Sequence, residues 1–233
     1  MNTISGNKKA ASVQAMFTRI ARRYDLMNRL MTAGLDVRWR RQVIRLASPP
    51  RGGRLLDVGT GSGDLAAQAL QVAKDICVVG GDFTLAMMRQ GRQRRHRERV
   101  RWAAMDALLL PFPAATFDAV TSGYLLRNVS DVRSALAEQY RVLRPGGTIV
   151  CLDTTRPSKQ WYQFVVDFYI NTIIPLLGAL LTGEREAYTY LPESTAGFLS
   201  AEQLGDLMSA AGFQKVGFKR LAGNTMALHW GCK

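Results

Sequence analysis

The feature that most constrains the fold of this chain is residues 55–64, which read Leu-Leu-Asp-Val-Gly-Thr-Gly-Ser-Gly-Asp. An apolar strand runs into a turn with glycine at every second position, and helix-forming residues follow at 65–70. Gly59, Gly61 and Gly63 let the backbone turn sharply and approach a ligand closely. Since nucleotide sites of α/β proteins begin with such a strand, turn and helix, the stretch predicts a ligand site.

Acidic residues at the ends of three successive predicted strands narrow the choice of ligand. Asp57 precedes the glycines, and Asp82 and Asp106 follow the next two apolar runs. A carboxylate beside the glycines suits a positively charged ligand better than a pyrophosphate, and the acid after the second strand is placed to hold a ribose. Together they favour S-adenosylmethionine. The alternative is that the aspartates only cap the helices that follow.

The alternation of short apolar strands with amphipathic helices predicts a doubly wound α/β domain. Further strands are expected at 117–121 and 148–152, and a final hairpin at 213–221 and 225–230. Ligands of such sheets lie beyond the carboxyl ends of the strands, so the three aspartates and residues 122–128 are expected to face one crevice.

The N-terminal part of the chain is expected to form a separate helical unit. Apolar residues recur at helical spacing within residues 11–46 and predict two helices, and the Pro- and Gly-rich stretch 48–53 separates them from the sheet. We therefore divide the chain into a helical lid at 1–48 and a ligand-binding domain at 49–233. That domain contains an insertion at about 156–198.

The apolar stretch 161–181 of this insertion is long enough to suggest a membrane span, but Asp167, Asn171 and Pro175 argue against one. A helix that lines a lipid-tail groove or lies on a membrane surface fits better. A plain core helix remains the alternative.

The net charge of +13 indicates an anionic partner, either nucleic acid or the cytoplasmic leaflet of a membrane. The positive charge is concentrated in an arginine cluster formed by Arg89, Arg92, Arg94, Arg95, Arg97, Arg99 and Arg101. Alternatively, this cluster is only a solvated helix face. The three cysteines lack metal or disulfide spacing, and the chain has only two histidines, so no metal site is expected. Since the first residues lack a signal-peptide core, we expect a cytoplasmic location.

Three motifs are distinctive: Tyr-Asp-Leu-Met-Asn at 24–28, Leu-Arg-Asn-Val at 126–129 and Tyr-Thr-Tyr-Leu-Pro-Glu-Ser at 188–194. Together with the glycine-rich stretch and Arg-Pro-Gly-Gly at 144–147, they resemble the ubiquinone/menaquinone biosynthesis C-methyltransferase family over nearly the full chain. The resemblance implies a Rossmann-like class I methyltransferase fold with a seven-stranded, mostly parallel sheet and helices on both faces. It also implies S-adenosylmethionine as methyl donor and no metal.

The resemblance further implies transfer of a methyl group to a ring carbon of a prenylated hydroquinone of the demethylmenaquinol type. Arg127 would stabilise the phenolate, and Asn128 would orient the hydroxyl or a water. Tyr24, Asp25 and Asn28 of the N-terminal helical segment would lie near the site; alternatively, they form only the end of a helix and its turn. Alternatively, Asn128 caps a helix that begins near Val129. The implied cofactor residues are Asp57, Gly59, Gly61, Ser62 and Gly63 around the turn, Asp82 at the ribose, Asp106 and Ala107 at the adenine, and Gly123.

This chain departs from the family at Gly123-Tyr124-Leu125, where many members have Ser-Phe-Gly. A serine hydroxyl is therefore missing, and backbone from Ser122 to Tyr124 is expected to replace its contact. Thr154 to Pro157 also replace a more usual Phe-Ser-Lys-Pro, at the expected substrate mouth.

Two other functions compete with methylation of a prenylated hydroquinone. One is methylation of RNA or another polar substrate, which the basic surface would suit. Because the sequence has no base-flipping motif and no appended RNA-binding module, we expect no nucleic-acid partner. The other is a cofactor-binding assembly protein without turnover. The expected location is peripheral, at the inner face of the membrane. The choice between naphthoquinol and benzoquinol, the prenyl length and a homodimer are left open.

Overall fold

A computed structural model of the protein describes residues 2–21, 24–156, 164, 168–173, 176 and 194–233. Most of the expected insertion, including most of 161–181 and nearly all of the motif 188–194, lies outside these described residues. One described part is a π-helical turn at Tyr169–Ile173, where the Tyr169 hydroxyl donates a hydrogen bond to the Met31 carbonyl (3.1 Å).

Seven strands of the described residues form one sheet: β1 (Arg54–Val58), β2 (Cys77–Asp82), β3 (Val100–Ala104), β4 (Phe117–Gly123), β5 (Leu143–Thr154), β6 (Gln214–Leu221) and β7 (Met226–Cys232). Their order across the sheet is β3-β2-β1-β4-β5-β7-β6. The first five strands are parallel, and β7 runs antiparallel between β5 and β6. The order reverses between β1 and β4, which opens a crevice at their carboxyl ends.

The described α-helices flank this sheet: α1 (Asn2–Ile20), α2 (Tyr24–Met31), α3 (Leu35–Ala47), α4 (Asp64–Val72), α5 (Leu85–Arg92), α6 (Val132–Val142) and α7 (Ala201–Ala210). Side chains that alternate along a strand enter two separate cores. Leu55 packs with residues of α3 and α4, whereas its neighbour Leu56 packs with residues of α6 and α7. Helices therefore cover both faces of the sheet, as expected.

The N-terminal region differs from the prediction because it contains three helices instead of two. The additional helix is α2, and a turn closed by the hydrogen bond from Gly34 N to Arg29 O (2.8 Å) separates it from α3. The apolar pattern did not reveal α2 because a helix this short offers few periodic positions.

Helix α3 belongs to a core of the sheet domain, since Trp39, Val43 and Ile44 are buried in the same cluster as Leu55. Because α3 is part of that core, a lid formed by α1 and α2 alone is favoured. The division of the chain at residue 48 stays a prediction.

Candidate active site

A cleft lies at the carboxyl ends of β1, β2 and β4, and it has about 900 Å³ of space when its open mouth is included. Seven of the predicted residues line it: Asp57, Gly59, Gly61, Ser62, Asp82, Gly123 and Asn128. Residues from the N-terminal helices border the cleft as well, among them Val13, Phe17 and Asp25. The crevice predicted from the strand ends is thus present.

The glycine turn (residues 59–63) requires glycine for conformation and for space. Gly59, Gly61 and Gly63 have φ values of 69°, 56° and 82°, a region that residues with side chains rarely adopt. A Cβ at Gly59 would lie 2.8 Å from Leu125 Cδ1, and one at Gly63 would lie 2.4 Å from Trp102 Cη2. Gly63 does not line the cleft; it precedes α4 as its N-cap. Its lack of a side chain leaves room for the Trp102 ring of β3.

Asp57 is buried beneath the glycine turn and accepts hydrogen bonds from both sides. The Thr60 hydroxyl donates to Asp57 at 2.6 Å, and the Thr121 hydroxyl of β4 donates to it at 3.0 Å. Burial raises the pKa of Asp57 to about 7, although these hydrogen bonds lower the pKa in part. Asp57 thus joins β1, the turn and β4, and its charge is sensitive to any cation in the cleft.

Asp82, the last residue of β2, fixes two backbone segments beside the cleft. One carboxylate oxygen accepts from Gly61 N (2.8 Å), and the other accepts from Thr84 N (2.7 Å). Burial raises the pKa of Asp82, whereas these hydrogen bonds lower it in part. The N-caps of α4 and α5 are Gly63 and Thr84, so the alternative that Asp57 and Asp82 serve only as helix caps is wrong.

Asp25 of α2 attaches the N-terminal helices to the glycine turn. Its carboxylate accepts from the Ser62 hydroxyl at 2.8 and 3.0 Å and forms an ion pair with Arg94. A second anchor joins α1 to the end of β2, since Gln14 Nε2 donates to the Phe83 carbonyl (2.8 Å). The helices therefore contact the segment that borders the cleft.

A chain of ion pairs extends this attachment along the cleft wall. Arg40 of α3 pairs with both Asp36 and Asp64, and Arg97 pairs with Asp64 from the other side. Arg97 Nη1 also donates to the Ser62 carbonyl (2.5 Å). Two members of the arginine cluster, Arg94 and Arg97, are thus engaged with carboxylates of the site. The solvated-face interpretation is therefore wrong for these two residues.

Replacing Asp25 with alanine is expected to loosen α2 while the sheet stays folded. The change removes the contacts to Ser62 and Arg94, which we expect to stabilise the docked helix by about 1–2 kcal/mol. Hydrogen exchange of the α2 amides should accelerate by about five- to thirtyfold, with β1 and β4 unchanged. Glu202→Ala, which removes the surface pair with Arg220, is the control and should leave α2 unaffected. Equal protection of α2 in wild type and Asp25→Ala would contradict the attachment.

Residues 123–129 contribute to two cavities. Gly123, Tyr124, Leu125 and Asn128 line the cleft, whereas Leu126, Arg127 and Val129 line a neighbouring cavity together with residues from 130–133 and 194–207. Asn128 Nδ2 donates to the Tyr124 carbonyl (2.8 Å). Helix α6 begins at Val132, and Asp131 caps it by accepting from Arg133 N (2.9 Å). The alternative that Asn128 caps this helix is therefore wrong.

Arg127 is buried and held by Asp153 at the end of β5. Its Nη1 lies 2.8 Å from Asp153 Oδ1, its backbone N donates to Oδ2 at 3.3 Å, and its guanidinium lies 5.1 Å from the centre of the Tyr124 ring. Tyr124 lines the cleft, so Arg127 stands behind a residue of the cleft wall. Sequence reasoning missed Asp153, although it too is an acid at the end of a predicted strand.

The remaining predicted residues lie elsewhere. Asp106 is exposed and accepts from Leu108 N (2.9 Å), Ala107 is half-buried against a core, and neither lines the cleft. Tyr24 begins α2, but its side chain lies outside the described residues. Sequence reasoning gave no role to Thr60 or Arg40, which do line the cleft.

Within the described ranges, no group of three or more His, Cys, Asp or Glu residues is arranged to hold a metal ion. No helix in the same ranges combines the length and the apolar character needed to cross a membrane.

Solved structures with this fold include two that cover nearly the whole chain. One is an S-adenosylmethionine-dependent methyltransferase, possible histamine N-methyltransferase, from Thermotoga maritima, with a TM-score of 0.66 and 21% identity over 94% of this chain and 99% of that one. The other is the [4+2]-cyclase SpnF, with a TM-score of 0.67 and 19% identity over 95% and 94% of the two chains. They confirm the Rossmann-like methyltransferase fold; at this identity they show the fold alone.

Sequence comparison is more specific, because residues 4–233 match the ubiE/COQ5 methyltransferase family. A ubiquinone/menaquinone biosynthesis C-methyltransferase UbiE of Desulfotalea psychrophila is 48% identical, over 97% of this chain and 92% of that protein. A demethylmenaquinone methyltransferase of Roseiflexus castenholzii is 43% identical, over 97% and 95%. Since the match spans nearly all of the chain and these relatives agree with it in sequence and length, the chain belongs to the ubiE/COQ5 methyltransferase family.

Proposed function

We propose that the chain transfers the methyl group of S-adenosylmethionine to a ring carbon of a prenylated hydroquinone, specifically demethylmenaquinol. The observation that carries the proposal is the cleft itself, in which Asp57, Asp82 and the glycine turn face Tyr124 and Asn128. Relatives named demethylmenaquinone methyltransferase, which match the chain from end to end, support the choice of acceptor.

The residues of the cleft fit S-adenosylmethionine. Gly59 and Gly61 expose backbone without side chains, so a ligand can approach the turn closely. The Asp82 carboxylate, at the end of the second strand, would hold the ribose hydroxyls. Acids dominate the ionisable groups of the cleft wall, which suits a ligand with a sulfonium and an ammonium group. When bound, S-adenosylmethionine supplies an electrophilic methyl group.

The chain's own residues would prepare the acceptor. A ring carbon of a hydroquinone becomes a good nucleophile when a neighbouring hydroxyl loses its proton. Arg127 cannot take that proton, because a guanidinium stays protonated. From the neighbouring cavity, which Arg127 lines, it would stabilise the phenolate of a ring that lies between the two cavities, and so lower the pKa of the hydroxyl. Asn128, fixed at the cleft wall by its bond to the Tyr124 carbonyl, would orient the hydroxyl or a water that removes the proton.

The direct test is transfer of labelled methyl from S-adenosylmethionine by the purified protein. Demethylmenaquinol in detergent, the corresponding benzoquinol and bulk RNA are offered in parallel. We expect label in the naphthoquinol. Label in the benzoquinol alone would overturn the choice of ring, and label in RNA alone would overturn the lipid acceptor. Cofactor binding without any transfer would favour the assembly protein.

Binding of S-adenosylmethionine near neutral pH is expected to release protons from Asp57. Burial raises the pKa of this carboxyl to about 7, so it is partly protonated at pH 7. A cation bound against the glycine turn favours the ionised form and lowers the pKa, so up to about half a proton should leave per ligand at pH 7. By the same linkage, affinity should rise as the pH increases from 6 to 8.

Titration calorimetry at pH 7 in buffers of different ionisation enthalpy measures this release. S-adenosylhomocysteine, which lacks the sulfonium charge, is the ligand control and should release less. Asp57→Asn should abolish the difference between the two ligands. An identical proton release in Asp57→Asn and wild type would show that another group titrates.

We also propose that the exposed arginines Arg89, Arg92, Arg95, Arg99 and Arg101 attract the chain to anionic membrane, where a prenylated quinol resides. Each basic residue near such a surface contributes about 1 kcal/mol, and the attraction falls as salt rises. Reversing Arg89, Arg92 and Arg95 to glutamate should weaken binding to anionic vesicles at least about tenfold. The matched reversal of the exposed Arg38, Arg41 and Arg45 of α3 should matter less. Equal losses in the two triple variants would contradict a specific face.

A further inference from the structure

Arg40 is a positive charge on a cleft wall that is otherwise acidic. Its side chain is 15% exposed and lines the cleft with Asp25, Asp36 and Ser62. Among the described residues that line the cleft, it is the single lysine or arginine. Asp36 and Asp64 both pair with this partly buried cation, so its charge is compensated before a ligand is bound.

The guanidinium of Arg40 is fixed before any ligand arrives. Nη1 bonds to Asp64, Nη2 bonds to Asp36, and Nε donates to the Asp36 carbonyl (3.4 Å). Arg97 holds Asp64 from the opposite side and donates to the Ser62 carbonyl (2.5 Å). A guanidinium has about five N–H groups in a rigid fork. Those three contacts therefore leave donors for a further acceptor.

Charges of opposite sign alternate along this wall when the arginines behind it, Arg94 and Arg97, are included. Asp36, Arg40, Asp64 and Arg97 form one neutral series, and Asp25 and Arg94 form a second pair beside Ser62. The amino-acid end of S-adenosylmethionine is likewise neutral overall, with one carboxylate and one ammonium. A wall of alternating charges suits such a zwitterion better than a wall of one sign.

We propose that Arg40 binds the α-carboxylate of the methionine portion of S-adenosylmethionine, an inference that rests on the proposed function. Arginine suits this role because its planar fork matches a carboxylate and its position is set by Asp36 and Asp64. Recognition of the cofactor is then divided between two parts of the chain. Asp82 of the sheet holds the nucleoside, and Arg40 of the N-terminal helices holds the amino acid.

The test compares two sulfonium ligands by titration calorimetry: S-adenosylmethionine and its decarboxylated form, which lacks only the α-carboxylate. Arg40→Gln should weaken binding of S-adenosylmethionine about ten- to a hundredfold and change binding of the decarboxylated ligand less than about threefold. Arg40→Lys keeps the charge without the fork and should give an intermediate ratio. The decarboxylated ligand carries one more net positive charge, so the long-range effect of removing an arginine differs between the two ligands and is measured with the control variant.

Arg94→Gln is the matched control, because it removes another ion pair of the N-terminal helices at a residue that does not line the cleft. It removes the same charge, so any change that it causes in the ratio of the two affinities is the long-range effect, which we expect to be less than about threefold. The same change of ratio in Arg40→Gln as in Arg94→Gln would overturn the inference and leave Arg40 as a support of the helices. If Arg40→Gln does not fold, a wild-type ratio in Arg40→Lys overturns it instead. Absence of binding by either ligand to the wild type would overturn the proposed function itself.

Discussion

Replacing Arg127 with glutamine is expected to reduce the rate of methyl transfer by about 10²–10³-fold and to change the affinity for S-adenosylmethionine less than about threefold. The guanidinium is buried and oriented by Asp153 at 2.8 Å, so a phenolate beside it would meet a preorganised charge. Arg127 does not line the cleft that holds the glycine turn, which is why cofactor affinity should be spared. Single-turnover rates and calorimetric affinities measure the two effects separately.

Loss of Arg127 also leaves Asp153 buried without its ion-pair partner, which costs about 3–5 kcal/mol of stability. The double variant Arg127→Gln/Asp153→Asn removes both charges and should recover much of that stability without recovering turnover. Arg141→Gln is a further control, because Arg141 likewise pairs with a carboxylate, Glu138, but outside the cleft. It should lose stability and keep turnover. Restored turnover in the double variant would make the role of Arg127 structural.

Replacing Asp82 with alanine is expected to weaken binding of S-adenosylmethionine at least about a hundredfold. Two charge-assisted hydrogen bonds from ribose hydroxyls would be lost, each typically about 1.5–3 kcal/mol. The acceptor of Gly61 N would be lost as well, so the glycine turn would hold its shape less well. Asp82→Asn, which retains one oxygen acceptor, should lie between alanine and wild type.

Asp118 provides the matched control for Asp82. It also accepts a backbone N–H, from Arg54 at 2.7 Å, and it pairs with Arg144, but it does not line the cleft. Asp118→Ala should lower the unfolding temperature and leave cofactor affinity unchanged. Unchanged affinity in Asp82→Ala would contradict the assignment of Asp82 to the ribose.

The positions of β1, β2, β4 and β5 could be predicted from the sequence because each contains a short apolar run that is largely buried on both faces. The bounds were less accurate. Gly80 and Gly81 follow the apolar run that precedes Asp82, yet both lie inside β2, and Thr60 and Met105 fill the space where their side chains would be. Strand β5 begins at Leu143, so it includes the Arg-Pro-Gly-Gly sequence that reads as a turn.

Residues of the candidate site could be predicted where the backbone conformation or a backbone hydrogen bond restricts the residue type. The glycine turn, Asp57 and Asp82 fall in this class, because few other residues fit a positive φ or a strand end that accepts N–H groups. Arg40, Arg94 and Arg97 do not, because arginine in a polar stretch usually indicates solvent. Except for Asp36, which lies four residues before Arg40 on α3, their carboxylate partners are distant in sequence and come together only in the folded chain. No local pattern could therefore reveal the ion pairs with Asp25 and Asp64.

Strand β7 runs antiparallel between β5 and β6, and the expected insertion lies in the sequence between β5 and α7. The five parallel strands and the glycine turn are all formed by residues 54–154. These strands therefore pair with one another without a residue of the insertion. Evolution can alter the insertion for a new acceptor while β1, β2 and the glycine turn stay as they are.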